Sequence, residues 1–229
     1  MGVQLQVGGL PQRLRVREAL KAAECLYRDA GDVDVIIDAL GLRSRMSQMV
    51  DKLSGGWQRR LDIAIACIGS PRLLVLDEPT SGLDPVARTA LWEFLRDRRS
   101  KGVAVLTSTH DLAEAETYAD HLLVLDEGRA ILRGPVSEVL SAAGGDHRLR
   151  VLSGDPGCLS AIRAQGHTPL EAGSAISVIG DSGGLTALRE KLERLRDAGE
   201  VKFSDVLLGS VRLEDVFAFA AAGRKKETT

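Results

Sequence analysis

Apolar residues recur at helical spacing through the opening of the chain, where Val16, Leu20, Ala23 and Tyr27 share one face of a segment from Leu14 to Ala30. Gly31 stops that segment, and Asp32 caps a second short helix through Leu40. A third helix is expected after Ser54, with Leu61, Ile65 and Ile68 on one side, ending at Gly69-Ser70-Pro71. Leu73 to Leu76 is then a continuous apolar run of strand length. Asp84-Pro85 opens a further helix carrying Leu91, Phe94 and Leu95, with Gly102 as its stop. Val103 to Thr107 reads as the next buried strand, Asp111 and Glu114 as a capping box, and Leu122 to Leu125 as a third strand before a Glu127-Gly128 turn. Strands separated by helices predict a parallel α/β sheet.

The pattern changes at Gly144-Gly145, which sets the expected domain boundary. Beyond it the alternation predicts strand Leu149–Leu152, helix Cys158–Ala164, strands around Pro169–Glu171 and Ile176–Ile179, helix Leu185–Ala198, strand Val201–Leu207 and helix Leu213–Ala221. That βαββαβ order predicts a small ferredoxin-like α+β domain. The expected organisation is therefore residues 1–143, residues 144–222 and a frayed tail, 223–229.

Composition narrows the picture without naming a chemistry. With 229 residues, 44% hydrophobic and 27% charged, the chain is that of an ordinary globular protein. A formal charge of −2 offers no general attraction for nucleic acid, and the arginines at 59–60 and 96–99 read as solvated helix faces. Three scattered cysteines, Cys25, Cys67 and Cys158, without metal-ligand spacing, predict a reducing, cytoplasmic compartment. No apolar run approaches the ~18 residues of a membrane span, so any membrane association is expected through a protein partner.

The candidate chemistry lies in the first part. Asp77 and Glu78 end an apolar strand, where an open parallel sheet binds its ligands. Ser54-Gly55-Gly56 precedes a helix, a start that presents free N–H groups and the positive dipole end to an anion, with glycine allowing close approach. Asp84 before Pro85 is an N-cap with a favoured first-turn proline. His110 ends a strand after Ser108-Thr109, facing the same sheet edge as Asp77 and Glu78.

In order and spacing, Leu53-Ser54-Gly55-Gly56, Leu73-Leu74-Val75-Leu76-Asp77-Glu78-Pro79, Ser81-Gly82-Leu83-Asp84-Pro85 and His110 resemble the ATP-binding cassette (ABC) ATPases. The fold this implies is α/β, a P-loop NTPase-like ABC cassette lacking its N-terminal part, followed by the small α+β domain. The resemblance implies ATP and Mg²⁺ as cofactors, with Asp77 in the magnesium role, Glu78 as general base and His110 as the switch histidine on the γ-phosphate. Ser54, Gly55 and Gly56 match the signature loop, which grips ATP bound to the opposite subunit, and Asp84 matches the loop that couples the two sites. Trp57 stands where the family usually has Gln, with Gln58 behind it. Gln6, ahead of Arg15-Val16-Arg17-Glu18, resembles the Gln loop that senses nucleotide and metal; Gln4 is the competing assignment.

A phosphate loop needs Gly-x-x-x-x-Gly-Lys-Ser/Thr, and no lysine here is preceded by Gly or followed by Ser or Thr. The family places that loop upstream of the Gln loop, so the resemblance covers Gln6 to about Leu140 and implies a cassette shortened at its N-terminal side. The expectation is the ATP-hydrolysing subunit of a membrane exporter of the drug or polysaccharide type, peripheral on the inner membrane face. Its expected partners are a permease and a second ATPase subunit, with no nucleic acid, and alone it should be poorly active. The alternatives are a catalytically dead subunit lending its signature loop in trans and a soluble, non-transport ABC ATPase.

Overall fold

Three short parallel strands organise the first part of the computed structural model, which describes residues 1–6, 9 and 12–227. They are β1 (Gly2–Gln4), β2 (Leu73–Asp77) and β3 (Ala104–Ser108), adjacent in that order, with Gly2 opposite Leu74 and Asp77 opposite Ser108. Strand β1 has no sequence signature of its own. It forms because Gly2 lets the chain pass tightly beneath a helix: a Cβ there would stand 1.9 Å from the Ala66 carbonyl oxygen.

Between β1 and β2 run α1 (Val16–Glu24), α2 (Val33–Ala39) and α3 (Gly55–Cys67); α4 (Pro85–Ser100) joins β2 to β3. Helix α1 buries Val16, Ala19, Leu20 and Ala23, and the Glu18 carboxylate accepts the Arg15 N–H at 2.8 Å at its start. It ends well short of Ala30, leaving Leu26 and Tyr27 exposed. Helix α3 packs on β1 and β2 and helix α4 on β3, so Leu74 and Leu76 are buried. The opposite sheet face shows Val3 at 43% and Leu106 at 61% exposure, unusual for a parallel sheet, whose faces are normally both covered.

The chain packs as two units, Met1–His110 and Asp111–Thr229, so the division falls earlier than the expected Gly144-Gly145. In the second unit come α5 (Leu112–Tyr118), β4 (His121–Asp126), β5 (Arg129–Pro135) and α6 (Val136–Ser141). There follow β6 (His147–Leu152), α7 (Pro156–Ala164), β7 (Leu170–Ala172), β8 (Ala175–Gly180), α8 (Ser182–Asp197), β9 (Asp205–Ser210) and α9 (Leu213–Glu227). The expected third parallel strand is β4, but it pairs antiparallel with β5 instead. Glu127 and Gly128, with φ of 49° and 75°, close the tight hairpin turn that brings this about. The earlier boundary has a packing cause: Val139, Leu122 and Leu132 join Val211, Leu213 and Val216 in one apolar cluster, tying the hairpin and α6 to α9.

Strands β7-β8-β6-β9 form an antiparallel sheet in that order, the arrangement of a ferredoxin-like split βαβ unit. Leu149, Val151 and Val178 meet Ile162, Leu185 and Leu192 of α7 and α8 in its core. Arg148 donates to both Asp215 carboxylate oxygens, at 3.0 and 2.8 Å, in a largely buried pair. The last strand starts at Asp205, not Val201: Val201 is buried as a loop residue in the core, and the Lys202 N–H caps Asp155. Helix α9 runs beyond Ala221 to Glu227, so the expected frayed tail is helical up to there, and residues 228 and 229 lie outside the described residues.

Candidate functional site

Parallel pairing of β2 with β3 sets the site, because it ends both strands at one edge with Asp77 opposite Ser108. The Ser108 hydroxyl donates to Asp77 Oδ1 at 2.5 Å and accepts the Glu78 N–H at 2.9 Å. One serine thus orients both carboxylate residues. Glu78 has φ of +46°, a left-handed conformation costly for a residue with a side chain, and the Ser108 contact helps hold it there. The turn this permits carries its carboxylate toward His110, whose Nδ1 lies 3.1 Å from Glu78 Oε1. Gln6, two residues past the end of β1, closes the group, with Nε2 3.4 Å from Glu78 Oε2.

Asp77, Glu78, His110 and Gln6 therefore meet, drawn from positions as much as 104 residues apart (110 − 6). Gln4, the rival to Gln6, behaves differently. It is 2% exposed, and its amide donates to the backbone carbonyls of Leu5 and Asp77, a structural tie beneath the site.

Ser54, Gly55 and Gly56 lie at the start of α3, where Ser54 has extended backbone at the N-cap position. Its hydroxyl makes no capping bond, so the plain N-cap account of this serine does not hold, and the first-turn N–H groups keep their hydrogen-bonding capacity. The loop borders a cleft of about 410 Å³ lined by Gln6, Ser54, Gly55, Gly56, Asp62 and Ser81 among others. Gly56 is tightly seated, since a Cβ would come 3.2 Å from the Gly82 carbonyl oxygen. Asp84, by contrast, is an N-cap in the plain sense, accepting the Ala87 N–H at 2.9 Å ahead of Pro85.

Several contributors were not legible as site residues. Ser108 could have been found from the register of the two strands. Arg59 is no solvated face: its Nη1 donates to the Leu5 and Gln6 carbonyls at 3.1 and 3.2 Å, holding the segment that delivers Gln6. Asp62 sits half-buried in the cleft, and burial pushes its carboxyl up to about 6 against the opposing pull of Arg59. Trp57 does not line the cleft; two guanidiniums lie over its ring, Arg45 at 5.0 Å and Arg60 at 4.5 Å from the centroid. Gln58 donates to the carbonyls of Val50 and Leu53, bracing the loop before the helix.

The donor set suits hard-cation and phosphate chemistry. Asp77, the Ser108 hydroxyl and a Gln6 amide offer oxygen ligands, too few to enclose an ion but suited to Mg²⁺, which keeps waters and substrate oxygens in its shell. Among the described residues no cluster of three or more His, Cys, Asp or Glu side chains could hold a metal without such help.

Residues 2–81 match the family model described as ABC transporter. The chain is 37% identical over 167 residues to a Nod factor export ATP-binding protein I from Rhizobium meliloti, covering 71% of this chain and 50% of that one. With the protein of the same name from Paraburkholderia xenovorans the identity is 35% over 165 residues, covering 68% and 53%. The chain thus spans about half the length of these curated relatives. A solved structure of an ATP-binding subunit of an ABC transporter superposes with a TM-score of 0.56 at 29% identity, covering 62% of this chain and 61% of the other. On these likenesses in sequence and fold, the chain is identified as ABC transporter ATP-binding sequence with the α/β fold of that family.

Proposed function

We propose that this chain serves the ATPase of an ABC exporter, supplying the acidic, histidine and signature elements of its nucleotide sites. The observation that carries this is the convergence of Gln6, Asp77, Glu78 and His110 on one sheet edge, with Ser54-Gly55-Gly56 on the neighbouring cleft. Export as the direction rests on the Nod factor export proteins it resembles. In that role it works against a membrane permease from the inner membrane face and pairs with a second ATPase subunit. Among the described residues no helix is long and apolar enough to cross a membrane.

The contacts support one role for each residue. Glu78 is the general base: its carboxylate is held by Gln6 and His110 and is placed to accept a proton from a water. His110 binds Glu78 through Nδ1, which leaves Nε2 to meet a phosphate oxygen; as an imidazolium it donates from both nitrogens. Asp77 and Gln6 would hold Mg²⁺, which when bound neutralises charge developing on the transferring phosphate. The start of α3 offers its N–H groups to the γ-phosphate of a nucleotide held by the other subunit, and Asp84 couples the two sites through the turn packed on Gly56.

These 229 residues contain no Gly-x-x-x-x-Gly-Lys-Ser/Thr pattern. We therefore expect them on their own neither to bind ATP tightly nor to hydrolyse it, and to act by completing a site whose phosphate cradle lies on another polypeptide. The test is Mg-ATP hydrolysis by the purified chain, then in a mixture with an intact cassette whose own signature loop is disabled. Turnover restored in the mixture alone is the expected result. Strong turnover by the chain alone, or no restoration, overturns it.

A further inference from the structure

A second recess opens at the opposite end of β2 and β3 from the carboxylates, with a volume of about 260 Å³. Its polar lining is almost wholly cationic: Arg72 from the loop before β2, and Arg98 and Lys101 from the end of α4. Leu74 and Val103 form an apolar floor. Arg98 is mostly buried, its guanidinium carbon lying 4.9 Å from the centroid of the Phe94 ring, and its Nε is buried against the protein without a hydrogen-bond partner. Among the described residues, Asp97 pairs with Lys101 at 2.8 Å and lies 3.8 Å from Arg98 Nε, and no acidic residue lines the recess itself. Cys67 lines the same recess; burial pushes its thiol up to about 12, with Arg98 pulling the other way, which makes it an inert wall.

Cations in the last turn of a helix favour its negative dipole end, and that explains Arg98 where it stands in α4. It does not explain Arg72, which belongs to another segment and yet lines the same recess as Arg98 and Lys101. Guanidinium groups brought together from two segments match the geometry of phosphate oxygens. We infer that this recess is an anion site for a phosphate group, free or on a small monoester, separate from the nucleotide site at the other end of the strands. Arg98 fixes the anion from within, Arg72 and Lys101 close on it from the rim, and the apolar floor receives whatever the phosphate carries.

The experiment is an amide chemical-shift titration of the full chain with inorganic phosphate and, separately, with AMP, at constant ionic strength held by chloride. Saturable shifts are expected at residues 70–74 and 98–103. The charge reversals Arg72→Glu and Lys101→Glu, both on the rim, should each weaken binding by about tenfold or more while Trp92 emission reports an unchanged fold. Tighter binding of AMP assigns the phosphate to a nucleotide, and equal or tighter binding of free phosphate assigns it to the inorganic ion. The inference is overturned if no saturable shift appears, if the shifts are confined to residues 54–58 at the start of α3, or if neither reversal weakens binding.

Discussion

Replacing Trp57 with Ala should cost about 3 kcal/mol of stability in the first unit, and the number follows from what the ring touches. Trp57 is partly buried directly after Gly56, with the Arg45 and Arg60 guanidiniums over its ring, and a Cβ on Gly41 would meet that ring at 3.8 Å. An indole buries roughly 150–250 Å² when enclosed; truncation here removes about 100 Å² of that, or ~2.5 kcal/mol at ~25 cal/mol per Å². Two cation–π contacts at a partly exposed ring add about 0.5–1 kcal/mol each. Residual burial in the unfolded chain trims the sum by some 10–40%, which brings it to about 3 kcal/mol. Urea unfolding followed by the emission of Trp92, 6% exposed on α4, reads the loss without the deleted fluorophore. Trp57→Phe keeps a ring and should lose only about 1 kcal/mol. A loss below about 1 kcal/mol for the Ala variant, or equal losses for Ala and Phe, would show that the stack does not hold α3 to the turn at Gly41.

In an assembly that turns over ATP through this site, Glu78→Gln should lower turnover on the order of 10²-fold with nucleotide-driven dimerisation retained; unchanged turnover rejects Glu78 as base. The raised carboxyl of Asp62, with burial as its main cause, predicts a pH effect of definite sign. Because its folded value, about 6, exceeds the ordinary value of ~3.9, the stability it lends below about pH 4 is lost as pH rises through about 6. Thermal unfolding of Asp62→Asn should gain on the parent across that window, and parallel curves would dismiss the effect. Arg148→Met strands Asp215, 7% exposed, as a buried charge and should cost about 3–5 kcal/mol in the second unit; a calorimetric transition unchanged from the parent would contradict this. The exposed apolar face at Val3 and Leu106 predicts concentration-dependent association, measurable by sedimentation, and a strictly monomeric chain at high concentration would count against it.

The parts of the site that could be read in advance are those whose chemistry depends on neighbours in sequence. Asp77 and Glu78 follow an apolar run, Ser54-Gly55-Gly56 opens a periodic helix, and both lie where those signals put them. The split βαβ order was legible for the same reason, since Leu149, Val151, Ile176 and Val178 alternate or cluster at strand spacing. Contacts made across the chain were not legible. Ser108 becomes a site residue only through its register opposite Asp77, and Arg59 only because β1 places the Gln6 carbonyl within reach. Strand β5 hid behind its own composition, for Arg129 to Pro135 includes two arginines and a glycine and is held by pairing with β4. The solvated-face reading of Arg60 failed because charge runs carry no sign of an aromatic ring lying three positions away.

The left-handed backbone at Glu78 also limits what may replace it. A φ of +46° is open to Gly and tolerated best by Asn and Asp among residues with side chains, and it is hostile to Val, Ile and Thr. If the general-base role proposed for Glu78 is no longer required, position 78 should therefore drift toward Gly, Asn or Asp, by release of strain and not by chance. A lineage that keeps Glu there is retaining a residue its backbone disfavours, so the bare persistence of that side chain would mark selection for what its carboxylate does.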